Sequence, residues 1–172
     1  MRTEHKVELK VTKQKIFPEE LPFSLKKRFF LFSPRIVSYR LRYVPCWLVV
    51  LNYSVVILTK KNTREGIVEL IVDEIKGSSA LEPGCKLELG KKKIEKELIM
   101  DRTVTEEQAV RKAKIDARWK VIMGQYKRPP ELEFVRAQKF MRPFYETIVQ
   151  FNGKRQTQWI AADGYDNYAT YQ

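Results

Sequence analysis

Apolar and polar positions alternate with period two over residues 7–11, the pattern of a strand with one buried face. The period then changes. Leu21, Leu25, Phe29 and Phe32 fall on one side of a helix spanning about 21–31, with Pro22 tolerable in its first turn. Apolar runs rich in β-branched and aromatic residues predict strands at 36–44, 47–58 and 66–72, with a turn near Lys60-Lys61-Asn62. Glu82-Pro83-Gly84 then reads as a linker. Further on, Thr103 with Glu106 and Thr105 with Gln108 form two overlapping capping-box patterns. They predict a helix to about Met123, with Ala109, Ala113 and Ala117 on one face, ended by Gly124 and by Pro129-Pro130. Strands are predicted at 131–140 and 144–151. Asn152-Gly153 is a two-residue hairpin signal, and a return strand over 155–162 reaches Asp163-Gly164.

The same landmarks recur in the same order. Lys6-Val7-Glu8-Leu9 is echoed by Lys86-Leu87-Glu88-Leu89, and Phe17-Pro18-Glu19-Glu20 by Val104-Thr105-Glu106-Glu107. Pro45-Cys46-Trp47 is echoed by Pro143-Phe144-Tyr145, and Val72-Asp73-Glu74-Ile75 by Ala162-Asp163-Gly164-Tyr165. The reading is an α+β protein of two tandem related units, 1–82 and 83–172, each a helix packed on an antiparallel β-meander. One helix covers only one face of such a sheet, so an intimate pseudo-dimer is expected rather than independent beads.

The second unit resembles a PepSY-type module through Thr105-Glu106-Glu107-Gln108-Ala109, Phe144-Tyr145-Glu146, Asn152-Gly153-Lys154 and Ala162-Asp163-Gly164-Tyr165. In the first unit, Ile71-Val72-Asp73-Glu74-Ile75-Lys76-Gly77 is similar to the last element of that pattern. The resemblance implies a cystatin-like sheet crossed by a helix. Modules of that family are mostly secreted or membrane-attached, and some restrain peptidases. On the residues given, a departure from that family is expected, with neither a signal-type segment nor an attached peptidase.

Composition narrows the class. Hydrophobic residues make up 44% and charged ones 31%, the profile of a folded domain. The 33 basic residues exceed the 21 acidic ones, a net charge of +12 that favours anionic partners. Cys46 and Cys85 are too few for a disulfide scaffold and too far apart for a zinc site, and Cys46 sits among core-type residues. The longest apolar stretch, 44–58, is broken by Pro45, Asn52 and Ser54 and is too short for a spanning helix. A cytoplasmic protein without membrane insertion is expected, provided the chain is whole.

Candidate chemistry is sparse. The single histidine, His5, lies near the terminus, and no phosphate-cradling glycine loop is present. Asp73 and Asp163, at matching strand ends, could pair as acid–base or cation-binding carboxylates; closing a turn through backbone N–H groups is the favoured role. No enzyme, cofactor or metal is expected. The basic residues form the more interesting set: Arg111, Lys114 and Arg118 share a helical stripe, with Lys112, Lys120, Lys127 and Arg128 nearby. Further clusters are Lys26-Lys27-Arg28, Arg40 with Arg42, Lys60-Lys61 and Lys91-Lys92-Lys93. Tyr39, Tyr43, Trp119 and Tyr126 interleave with them, as stacking on bases beside phosphate contacts would require. A solvated helix face with inward-turned aromatics fits the same pattern. Tyr165, Tyr168 and Tyr171 near the end either cover the sheet edge or anchor a partner, and covering is favoured. The first functional reading is a non-catalytic binding or regulatory module that meets a protein partner through a sheet surface or edge. The alternative is a nucleic-acid-binding protein using the basic helix face.

Overall fold

The computed structural model describes residues 6–28, 34–57 and 62–165. His5, Phe29, Phe32, Lys60, Lys61, Tyr168, Tyr171 and the side chains of Lys26, Lys27 and Arg28 lie outside what it describes. The architecture is α+β, a mixed seven-stranded sheet with helices. Strands β1 (Lys6–Thr12), β2 (Arg35–Ile57), β3 (Asn62–Asp73), β4 (Gly77–Ala80), β5 (Leu89–Glu95), β6 (Glu131–Phe151) and β7 (Lys154–Ala161) run in the order β4-β3-β2-β6-β1-β5, with β7 on β6. Helix α1 is Leu21–Arg28. Helix α2 (Glu106–Asp116) continues through a π-helical segment, Ala117–Ile122, into the short α3 (Met123–Tyr126).

Two expected strand pairs are single long strands. Pro45 lies inside β2 and Pro143 inside β6, where breaks were expected. Proline's fixed φ fits an extended chain, and its missing N–H matters only where a ladder bond is due. Each proline stands just before such a ladder. The β2–β3 pairing begins at Cys46 with Asp73, and the β6–β7 pairing at Phe144 with Ala161. Strands β4 and β5 were not foreseen, because Gly-Ser-Ser and a lysine run carry no apolar periodicity.

The chain divides into two compact units. The first takes residues up to Val44, Glu88–Asp101 and the stretch from Met141. The second takes Pro45–Leu87 and Arg102–Phe140. Strand β2 thus changes unit between Val44 and Pro45, and β6 between Phe140 and Met141.

In the first unit β1 pairs antiparallel with β5, and Val11 bridges Met141 in parallel. A 3-10 turn, Pro18–Glu20, leads into α1, and the Phe17 N–H donates to the Glu20 carboxylate at 2.9 Å. Leu21 and Leu25 are buried against Tyr145 and Val149 of β6 and Ile160 of β7. Burying each leucine contributes about 2 kcal/mol. The first helix therefore packs on the last hairpin of the chain.

The second unit has the reciprocal arrangement. Ala109, Ala113 and Ala117 pack on Val49, Leu51 and Val55 of β2 and on Val68, Leu70 and Val72 of β3. Small alanines let the helix approach the sheet closely. The capping box at Thr105 is formed: the Gln108 N–H donates to the Thr105 hydroxyl, and the Thr105 N–H to the Gln108 side chain. Gly124 lies inside α3, and the helix ends instead at Lys127, in the left-handed region at φ 56°. Proline disfavours helical geometry at the residue before it, so Pro129 acts on Arg128 and the helix can run to Tyr126.

Candidate docking surfaces

The carboxylates at the strand ends have structural partners. Asp73 accepts the N–H groups of Ile75 and Lys76 at 2.8 and 2.6 Å, closing the turn after β3. Asp163 accepts the Tyr165 N–H at 3.2 Å, and it also meets Arg142, which the sequence reading missed. Arg142 is 1% exposed and Asp163 is fully buried. The guanidinium donates twice to the carboxylate, from Nε at 2.8 Å and from Nη2 at 2.9 Å. Thr12 donates to Oδ2 at 2.7 Å, and the Tyr165 carbonyl accepts from Nη2 at 3.0 Å. A bidentate, fully hydrogen-bonded pair offers no open valence to a substrate. The available signal was a lone arginine inside the apolar run Phe140-Met-Arg-Pro-Phe-Tyr145, since a charge buried there requires a counter-charge. Among the described residues, no group of three or more His, Cys, Asp or Glu is placed to hold a metal, and no helix is long and apolar enough to cross a membrane.

The basic residues separate into those that face water and those already engaged. Arg111, Lys112, Arg118, Lys120, Lys127 and Arg128 are exposed, and Lys114 is half-buried. Lys120 pairs with Asp116 at 2.9 Å, and Asp116 also accepts the Ser78 hydroxyl. Lys112 reaches over Gly77. Away from the helix, Arg40 is paired with Glu146, and Arg42 donates to the Glu97 carbonyl at 2.9 Å. Lys91, Lys92 and Lys93 occupy β5, the last strand in the sheet order, where lysine discourages edge-to-edge pairing. Of the interleaved aromatics, Tyr43 is buried and Tyr126 packs near Tyr53, while Trp119 and Tyr39 are exposed. Tyr165 is buried, with its hydroxyl 3.3 Å from the Glu88 N–H, in keeping with a covering role.

A second surface lies on the other face of the same unit. Strand alternation turns Asn52 and Ser54 of β2 and Glu65 and Ile67 of β3 away from α2. With Glu131 and Glu133 of β6 they line a groove of about 710 Å³. Its own lining contains three carboxylates and no cation, while Arg128 lines the adjoining cleft that shares Ser54 and Glu131 with it. The floor is polar, with Asn52 Nδ2 3.5 Å from Glu133 Oε2. At its margin β3 is open. Strand β4 pairs only with 70–73, so 62–68 has β2 on one side and, among the described residues, no strand on the other. Ile67, in this open stretch, is 66% exposed.

Comparison with known proteins adds no relative: no family model, no curated protein and no solved structure matches the chain.

Proposed function

We propose that the protein is a non-catalytic binding module whose second unit takes an extended, cationic segment of a partner protein onto β3 and the adjoining groove. The observation that carries this reading is the cation-free, three-glutamate groove beside an open strand edge in a chain of net charge +12. An edge strand offers alternate N–H and C=O groups to an incoming strand, and main-chain pairing supplies affinity. Side chains decide specificity. Lysine or arginine on the incoming segment would meet Glu65, Glu131 and Glu133, and an aliphatic residue would cover Ile67. Opposite charges across paired strands each add a few tenths of a kcal/mol or more, while like charges oppose pairing. Arg64 and Glu65 on the open strand also restrain pairing of β3 with itself.

The recurring order of strand, 3-10 turn, helix, long strand and return strand fits a duplicated helix-plus-sheet module of the PepSY-like, cystatin-like kind, in which a sheet serves as binding platform.

The probe is a fluorescein-labelled peptide alternating lysine and valine, titrated by anisotropy. Binding is expected for this peptide, and loss for a glutamate–valine counterpart and for a version N-methylated at alternate residues. Paired Glu131→Lys and Glu133→Lys should weaken it about tenfold or more without moving the unfolding midpoint. Equal binding of the N-methylated peptide would overturn strand addition.

A further inference from the structure

The outer face of α2 has features that the groove reading leaves unused. Between residues 111 and 128 the chain holds seven cations, Arg111, Lys112, Lys114, Arg118, Lys120, Lys127 and Arg128, and one acid, Asp116. That acid is buried and engaged by Ser78 and Lys120, and the exposed acids of the helix, Glu106 and Glu107, lie in its first turn, so the stretch from Arg111 to Lys120 presents a positive field outward.

Inside this field two large apolar side chains face water: Ile115 is 53% exposed and Trp119 61%. The π-helical segment accounts for Trp119. Buried positions move from Asp116 and Ala117 to Val121 and Ile122, a step of five residues, which leaves Arg118, Trp119 and Lys120 together on the outside. An ordinary helical step of three or four would have carried one of these inward. Holding an exposed tryptophan on such a widened turn contributes nothing to the core, and π-segments recur at functional sites.

We infer that the outer face of α2 binds single-stranded nucleic acid, with Trp119 as a stacking platform for a base and Arg111 and Arg118 holding neighbouring phosphates. Charge selects a polyanion. The tryptophan selects a single strand, because base faces are available to stack only outside a duplex. Arg111 and Arg118 are about 10 Å apart along a helix axis. A stacked strand covers that length in about three nucleotides at 3.4 Å each. A membrane surface fits less well, since an interfacial helix needs a continuous apolar face and this one has two apolar residues among cations. The acidic groove on the opposite sheet face repels a polyanion and so orients its approach.

The test is anisotropy of a fluorescein-labelled oligo(dT) 12-mer, against a duplex of equal length and heparin as competitor, at 50 and 200 mM salt. The expected result is preference for the single strand and an affinity that falls as salt rises. Trp119→Ala should weaken binding about tenfold with the salt slope unchanged, and Trp119→Phe should restore most of it. Paired Arg111→Gln and Arg118→Gln should instead reduce the slope by about 1.4, since each phosphate contact on a single strand contributes about 0.7. Circular dichroism melting confirms that the variants fold. No binding at 50 mM salt, equal affinity for the duplex, or indifference to Trp119→Ala would each overturn the inference.

Discussion

At the scale of single residues, the Arg142–Asp163 pair is the most consequential contact in the first unit. Both groups have left water, and each is compensated by the other and by Thr12 and Tyr165, with the Phe144 ring 5.0 Å from the guanidinium. Removing one partner of such a pair leaves an uncompensated buried charge at a cost of about 3–5 kcal/mol. Asp163→Asn keeps the shape and removes the charge. It should lower unfolding stability by about 3 kcal/mol in urea denaturation, and a loss below about 1 kcal/mol would contradict the role given to the pair.

Tyr145 provides a pH signature in the same unit. Burial holds its phenol above the ordinary value, and the nearby Tyr39 acts in the same direction, while a hydrogen bond from Gln14 at 2.8 Å opposes them. The folded state then keeps a proton that the unfolded chain has lost. Stability is full below the ordinary phenol value of about 10 and falls as pH rises from there through the raised value. Tyr145→Phe should flatten this alkaline limb when urea midpoints are compared between pH 8 and pH 11. An unchanged limb would show that the Tyr145 proton does not contribute.

At the scale of elements, caps and turns were the legible part of the sequence. Thr105 and Gln108 form the capping box that their spacing implied. Asn152 and Gly153 both take positive φ, 48° and 74°, as a type I′ turn requires. Thr105→Ala should cost about 1 kcal/mol, read as a lowered thermal midpoint. Gly153→Val should destabilise far more than Lys154→Ala in the same assay, because a β-branched residue is strained at positive φ; equal effects would rule out this turn geometry.

What was not legible came from long-range choice. Leu21 and Leu25 announce an apolar helix face, but nothing local says that it will cover Val149 and Ile160, well over a hundred positions along the chain. Ala109, Ala113 and Ala117 likewise announce a close-packed face without naming Leu51 and Leu70 as its floor. Pro45 and Pro143 read as breaks because local rules treat proline as a stop, whereas each stands one residue before its hairpin ladder begins. Both candidate docking surfaces have the same history. The cations of α2 were visible as a stripe, but the exposure of Trp119 depends on a π-helical turn that has no sequence signature here. The acidic groove gathers Glu65, Glu131 and Glu133 from two strands widely separated in sequence, so no window of the chain contains it.

At the scale of the whole molecule, a net charge of +12 says only that anionic partners are favoured. Its distribution says more. Within the second unit the outer face from Arg111 to Lys120 is cationic, while the opposite sheet face gathers three carboxylates beside an open strand. Faces of opposite sign suit two partners of opposite charge, each repelled from the other's site. The most direct measurement of the central claim is amide hydrogen exchange, followed by NMR, with and without the lysine–valine peptide. Strand addition at β3 predicts slowed exchange at alternate amides of 62–68, with the amides of α2 unaffected. Unchanged exchange along 62–68, or protection confined to another strand, would contradict the account.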